Sequence, residues 1–131
     1  MDQKRYDIGM SQRKKVLGAE YVEKSVGSAD SFNKEFQRIV TEYCWGEAWG
    51  QPTLSDKQRS LNNLCMLAAL GRNHEFELHF AGALNNGCTL DELKETLVQI
   101  AVYCGIPAGV ESFRLARKVL DARGIDPDEA G

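Results

Sequence analysis

The densest chemistry in the chain lies in one short stretch, HEFELH, where His74, Glu75, Glu77 and His79 fall within six residues. Such a cluster raises three readings: a metal site, an acid–base site, or the polar edge of a helix. A zinc-binding helix spaces its histidines at i and i+4, so that both reach one ion from one face. His74 and His79 are five apart and, at about 100° per residue, diverge by about 140°. One helix cannot bring both to a single ion, so the spacing predicts no metal site. Glu75 and His79 do stand at i and i+4. Arg72 lies a further turn back, within about 20° of His79 in helical angle. A helix that begins early enough carries Arg72, Glu75 and His79 as one polar stripe beside an apolar face of Phe76, Phe80, Ala83 and Leu84. A cation, a carboxylate and an imidazole against an apolar wall can bind an anion and move a proton. The same three residues also make an Arg–Glu–His ladder of the kind common on exposed helix faces. Spacing leaves both readings open. His74 reads as a first-turn surface residue.

The elements that must position these residues are all helical in period. Ser55 and Gln58 form a capping box opening a helix to about Leu70, stopped by Gly71. The helix carrying HEFELH is predicted from about Asn73 to Asn85, with Asn86-Gly87 as its left-handed cap. Thr89 and Glu92 make a second capping box, before a helix that ends at Gly105 and Pro107. Pro107 suits the first turn of a last helix, to about Arg123. Upstream, residues 11–28 suggest one or two helices. Phe32, Phe36, Ile39, Val40 and Tyr43 then make one apolar stripe at spacings of three, four and seven. Gly46, Gly50 and Pro52 break that pattern and leave Trp45 and Trp49 in a turn or short helix. Tyr103 and Cys104 read as core residues near a pocket mouth. No run alternates with period two, and no internal repeat stands out. The expectation is an all-α single domain of about six helices over residues 1–131, with flexible tails at 1–10 and 125–131.

Bulk composition fits a globular chain: 131 residues, 43% apolar and 27% charged. A net charge of −3 gives no footprint for nucleic acid. The cluster Arg13, Lys14, Lys15 reads as a solvated start of the chain, with an anion contact as the alternative. No apolar run approaches the ~20 residues of a membrane span. MDQKRYDIGM lacks the apolar core of a signal peptide. Four dispersed cysteines without a CxxC pair read as free thiols in a reducing cytoplasm, used as small apolar side chains.

An ordered set of segments then carries a resemblance: KKVLGAEYV, WGEAWG, SDKQRSLNNLCMLAALGR, HEFELHFAGALNNG and TLDELKETLVQIAVYCGIPAGVESF. From roughly Gln12 to Gly124 the chain resembles the carboxymuconolactone decarboxylase family, whose helical fold is shared with alkylhydroperoxidase-type disulfide reductases. Laid on the reductases' CxxCxxxH signature through His79, the two cysteine positions are Arg72 and Glu75. The reductases' preceding glutamate falls at Ser60, so thiol peroxidase chemistry through this site is lost. The resemblance implies cofactor-independent decarboxylation of 4-carboxymuconolactone to the enol-lactone of β-ketoadipate, in the protocatechuate branch of aromatic degradation. It also implies a homo-oligomer, with a hexamer expected.

Within that resemblance, His79 is the expected proton donor, with Glu75 orienting it or holding it charged. Arg59 and Arg72 are the candidates to hold the substrate's carboxylates, since a guanidinium binds them bidentately. Trp45, Trp49 or Phe76 would supply an apolar wall. Ser60 is either a hydrogen-bond donor to substrate or an ordinary helix-surface serine. One departure stands out: Gln51 follows WGEAWG where family relatives usually carry a basic residue, which leaves a related lactone open. A helical oligomer that binds such a lactone or diacid without turnover is the alternative class.

Overall fold

The computed structural model describes residues 1–130. The described residues contain helices and no strand, as the periodicity predicts. The chain falls into two compact units, Met1–Asp56 and Lys57–Gly131.

The first unit comprises α1 (Gln3–Leu17), α2 (Ala19–Gly27), α3 (Lys34–Ile39) and a π-helix, Val40–Ala48. Asp2 caps α1 by accepting a hydrogen bond from the Arg5 backbone N–H. Most of the first ten residues, expected as a flexible tail, are therefore helical. Gly18, at φ +94°, separates α1 from α2, a backbone state that a side chain would resist. The helical run after Asn33 widens at Val40, where the bonding lengthens to i→i+5; the Trp49 N–H reaches the Cys44 carbonyl at 3.1 Å. Trp45 and Trp49, expected in a turn or short helix, thus sit on and just after a π-helix. Glycine permits a very close crossing of α1 with this helix. A Cβ added at Gly9 would lie 1.9 Å from the Thr41 carbonyl oxygen, and one at Gly46 would lie 2.3 Å from that of Arg5. Trp45, Trp49 and Val16 form the small core of this unit. The stripe of Phe32, Phe36, Ile39 and Tyr43 faces outward, with Phe32 89% exposed.

The second unit holds α4 (Asp56–Leu70) from its second residue on, with α5 (Asn73–Asn85), α6 (Leu90–Cys104), α7 (Ile106–Ala122) and α8 (Pro127–Ala130). The boundaries of α4 to α7 follow the glycine and capping signals closely. Thr89 and Glu92 make both hydrogen bonds of the predicted capping box, at 3.1 and 2.8 Å. Gly87, at φ +86°, supplies the left-handed turn after α5, while Asn86 stays at φ −85°. The core interleaves Leu64 from α4, Phe76 and Phe80 from α5, Leu93 and Leu97 from α6, and Leu115 from α7. Heptad-like spacings along each helix turn these apolar faces inward. Tyr103 and Cys104 depart from expectation. Tyr103 is 82% exposed, and Cys104 lies outside the core too. Both lie in the last turn of α6, beyond its last buried residue, Ile100. Of the four thiols only Cys88 is buried, and all four are free.

Candidate active site

Local backbone chemistry places the polar edge of α5. Gly71, at φ +70°, ends α4, and the Arg72 N–H closes that turn on the Leu67 carbonyl at 2.9 Å. Arg72 then takes the N-cap position at φ −89°, ψ 76°, so it lies just outside the helix rather than on its first turn. Its carbonyl accepts the first bond of α5, from the Phe76 N–H at 2.8 Å. The guanidinium is exposed, and among the described residues no ion pair or side-chain hydrogen bond engages it. Glu75 is exposed in the first turn, where the helix dipole favours a carboxylate.

His79 comes one turn later and is half-buried. Asn63 of α4 faces it, with the amide nitrogen 3.4 Å from Nδ1. Burial pushes the imidazole below its ordinary value of 6.5, and the Glu75 carboxylate pulls it back up. Asn63 suits either charge state. It can present its amide nitrogen to a neutral ring or, turned over, its carbonyl oxygen to a charged one. With a neutral ring held at Nδ1, the proton resides on Nε2.

Two turns further along the same edge, the Asn86 amide donates to the Ser60 hydroxyl oxygen at 2.9 Å. Ser60 is completely buried, which corrects its reading as a helix-surface serine. Arg59, beside it on α4, is half-buried. The structure thus sets Glu75 one turn before His79, within its electrostatic reach, and joins His79 to Asn63 and Asn86 to Ser60. Arg72 stands at the head of the same helix without a bond to the others. Trp45 and Trp49 belong to the first unit, buried and stacked with ring centroids 4.9 Å apart. Phe76, offered as an apolar wall, is a core residue packed on Phe80 at a centroid distance of 6.3 Å.

The sequence does not single out Asn63, and marks Asn86 as a helix cap. One signal for Asn63 is present: Asn62 and Asn63 put two amides in the middle of α4, where asparagine disfavours the helix unless its side chain has a use. Two cavities of the second unit lie elsewhere. One, of about 320 Å³, is floored by Phe80, Leu93, Leu97 and Leu120. The other, of about 380 Å³, reaches Asn73, Phe76 and Glu111. Neither is lined by Glu75 or His79.

The sequence profile of the carboxymuconolactone decarboxylase family matches residues 34–118. The chain is 38% identical over 128 residues to a 4-carboxymuconolactone decarboxylase of Acinetobacter baylyi, covering 98% of this chain and 96% of that one. It is 40% identical over 116 residues to a nitrosuccinic acid decarboxylase of Metarhizium robertsii, covering 88% and 81% respectively. A 48-residue match to a 4-carboxymuconolactone decarboxylase of Pseudomonas putida, at 42% identity, covers 36% of this chain and all of that sequence. Matched across most of its length, the chain belongs to the carboxymuconolactone decarboxylase family.

Proposed function

We propose that the protein is a carboxy-lyase that removes CO₂ from 4-carboxymuconolactone and yields the enol-lactone of β-ketoadipate, as a step in the breakdown of protocatechuate. The chemistry asks little of a cofactor, because the lactone is itself an electron sink. The bond from the ring carbon to the departing carboxylate breaks, and its electron pair passes through the ring double bond onto the lactone carbonyl oxygen. The resulting oxyfuran anion takes one proton on carbon. Three duties remain for the protein: holding a dianion, stabilising charge on the carbonyl oxygen, and delivering that proton.

One observation carries the proposal. A half-buried imidazole, set between a carboxylate one turn earlier and the Asn63 amide, has a guanidinium left unengaged at the head of its helix. His79 is the proton donor, Glu75 favours its charged form, and Arg72 takes a substrate carboxylate, with Arg59 as a second cationic candidate. Too tight a grip on the departing carboxylate would stabilise the ground state, so Arg72 serves the carboxylate that stays. Ser60, whose oxygen already accepts from Asn86, supports this edge from within.

A homo-oligomer, with a hexamer expected, is part of the proposal, as are a single functional domain and a cytoplasmic location. The outward faces of Phe32, Phe36 and Tyr43, and of Val102, Tyr103 and Ile106, leave more apolar surface than a monomer usually exposes. No described helix is long and apolar enough to cross a membrane.

A second reading follows from the relative that acts on nitrosuccinic acid. That acid also carries a carboxylate beside a group able to accept its electron pair, and Gln51 leaves the substrate's identity less constrained. Incubating the purified protein with freshly generated 4-carboxymuconolactone, and separately with nitrosuccinate, separates the two by CO₂ release. Turnover of the lactone, with and without EDTA, supports the proposal. Turnover of nitrosuccinate alone replaces it, and binding of either acid without CO₂ release would make the chain a non-catalytic binder.

A further inference from the structure

Arg13 stands apart from this chemistry, and its surroundings contradict the solvated start of chain that its RKK cluster suggests. Its residue is only 6% exposed, in the first unit. Nη1 donates to Gln37 Oε1 at 3.0 Å and to Thr41 Oγ1 at 3.1 Å, and both acceptors are neutral. A guanidinium nitrogen of this kind has two N–H groups, so both are used. Nε is fully buried and, among the described residues, has no hydrogen-bond partner. The ionisable groups that act on the cation are Tyr21, Cys44 and Tyr6, none of them a carboxylate.

A buried cation without an anion is a costly arrangement, and arginine cannot escape it by giving up its proton. The fork, however, is well placed. Thr41 also donates to the Gln37 backbone carbonyl at 2.9 Å, so both acceptors are fixed one turn apart where α3 passes into the π-helix. With Nη1 anchored there, the edge formed by Nε and Nη2 offers two parallel N–H groups, the geometry that takes a carboxylate side-on.

We propose that Arg13 is a carboxylate-binding residue, taking one carboxylate of a small organic acid on its Nε–Nη2 edge while Gln37 and Thr41 hold the guanidinium in place. That acid is bound by residues of the first unit alone, so the site does not rest on the decarboxylase reading.

The test titrates the protein with succinate, and separately with chloride, at constant ionic strength. Two readouts are followed: the melting temperature and the Arg13 Nε–H resonance of protein labelled with ¹⁵N-arginine. Succinate is expected to give a saturable rise of roughly 3 °C or more at tenfold its dissociation constant. The Arg13 resonance should move with the same midpoint, and chloride should do neither. Arg13→Lys keeps the charge but loses the fork, and weakens succinate at least about tenfold; His79→Ala leaves it unchanged. No saturable rise, a rise with the Arg13 resonance unmoved, or an unaltered midpoint in Arg13→Lys would each overturn the proposal. The resonance decides the matter on the wild-type protein alone if the lysine variant does not fold. A protein that binds succinate through Arg13 yet leaves the lactone intact would refute the decarboxylase reading and keep the site.

Discussion

His79 is held between two opposed influences, and the balance can be read by titration. Burial favours the neutral ring and Glu75 favours the charged one, with burial the larger. If the imidazolium donates the proton, kcat/KM is high at low pH and falls as pH rises through a value below 6.5. Glu75→Gln removes the opposing carboxylate and should move that fall to still lower pH in the pH–rate profile. His79→Ala should lose about 10²–10⁴-fold in kcat while its helical circular dichroism is retained. Stability follows the same logic. A histidine whose folded pKa is lowered costs stability when it is protonated, so its contribution improves as pH rises from the folded value to the ordinary 6.5. Denaturant titrations of His79→Gln should therefore show a shallower rise across that window than the wild type. Arg72→Ala, at an exposed and unengaged position, should raise KM and leave the denaturation midpoint alone. At this scale the sequence was partly legible. The i, i+4 spacing of Glu75 and His79 follows from helical arithmetic, and α5 carries the two residues one turn apart. Asn63 could not be read that way, because its place opposite His79 depends on the register between two helices. Nor could the burial of Arg13 or Ser60, since spacing says which residues share a face but not what covers it.

Among the elements, the crossing of α1 with the π-helix is the most demanding contact. Backbone meets backbone at Gly9 and Gly46, and a methyl group at either would overlap a carbonyl oxygen of the opposite helix. Gly46→Ala should cost about 2 kcal/mol or more, measured by urea denaturation, because backbone atoms cannot swing aside as a side chain can. Gly27→Ala, where an added Cβ meets nothing within 4 Å, is the control. The contrast between the two halves of the chain shows what sequence signals carry. From α4 to α7, glycines and capping boxes mark the ends, and the predicted boundaries hold. The π-helix was not legible, because Phe36, Val40, Cys44 and their neighbours follow the same three-and-four spacing whether the bonding closes at i+4 or at i+5. Only the glycines at 46 and 50 hinted at something unusual, and they were read as breaks.

At the scale of the whole molecule, the outward apolar stripe of the first unit is the natural place to test assembly. If Phe36 is covered by a second copy, Phe36→Asp should lower the mass measured by light scattering, while the circular dichroism at 222 nm is kept. An unchanged mass would place the contact elsewhere. All-helical class was evident from the absence of any period-two run. The division into two units was not, because no linker-like composition marks Asp56.

The two tryptophans of the chain both lie in the first unit, stacked on each other, and the second unit has none. Intrinsic fluorescence excited at the red edge therefore reports on Met1–Asp56, while far-ultraviolet dichroism averages over every helix. The molecule thus carries a built-in reporter for one of its halves. Unfolding curves that superimpose by the two methods mean that the halves melt as one cooperative body, and curves that separate mean that they melt in turn.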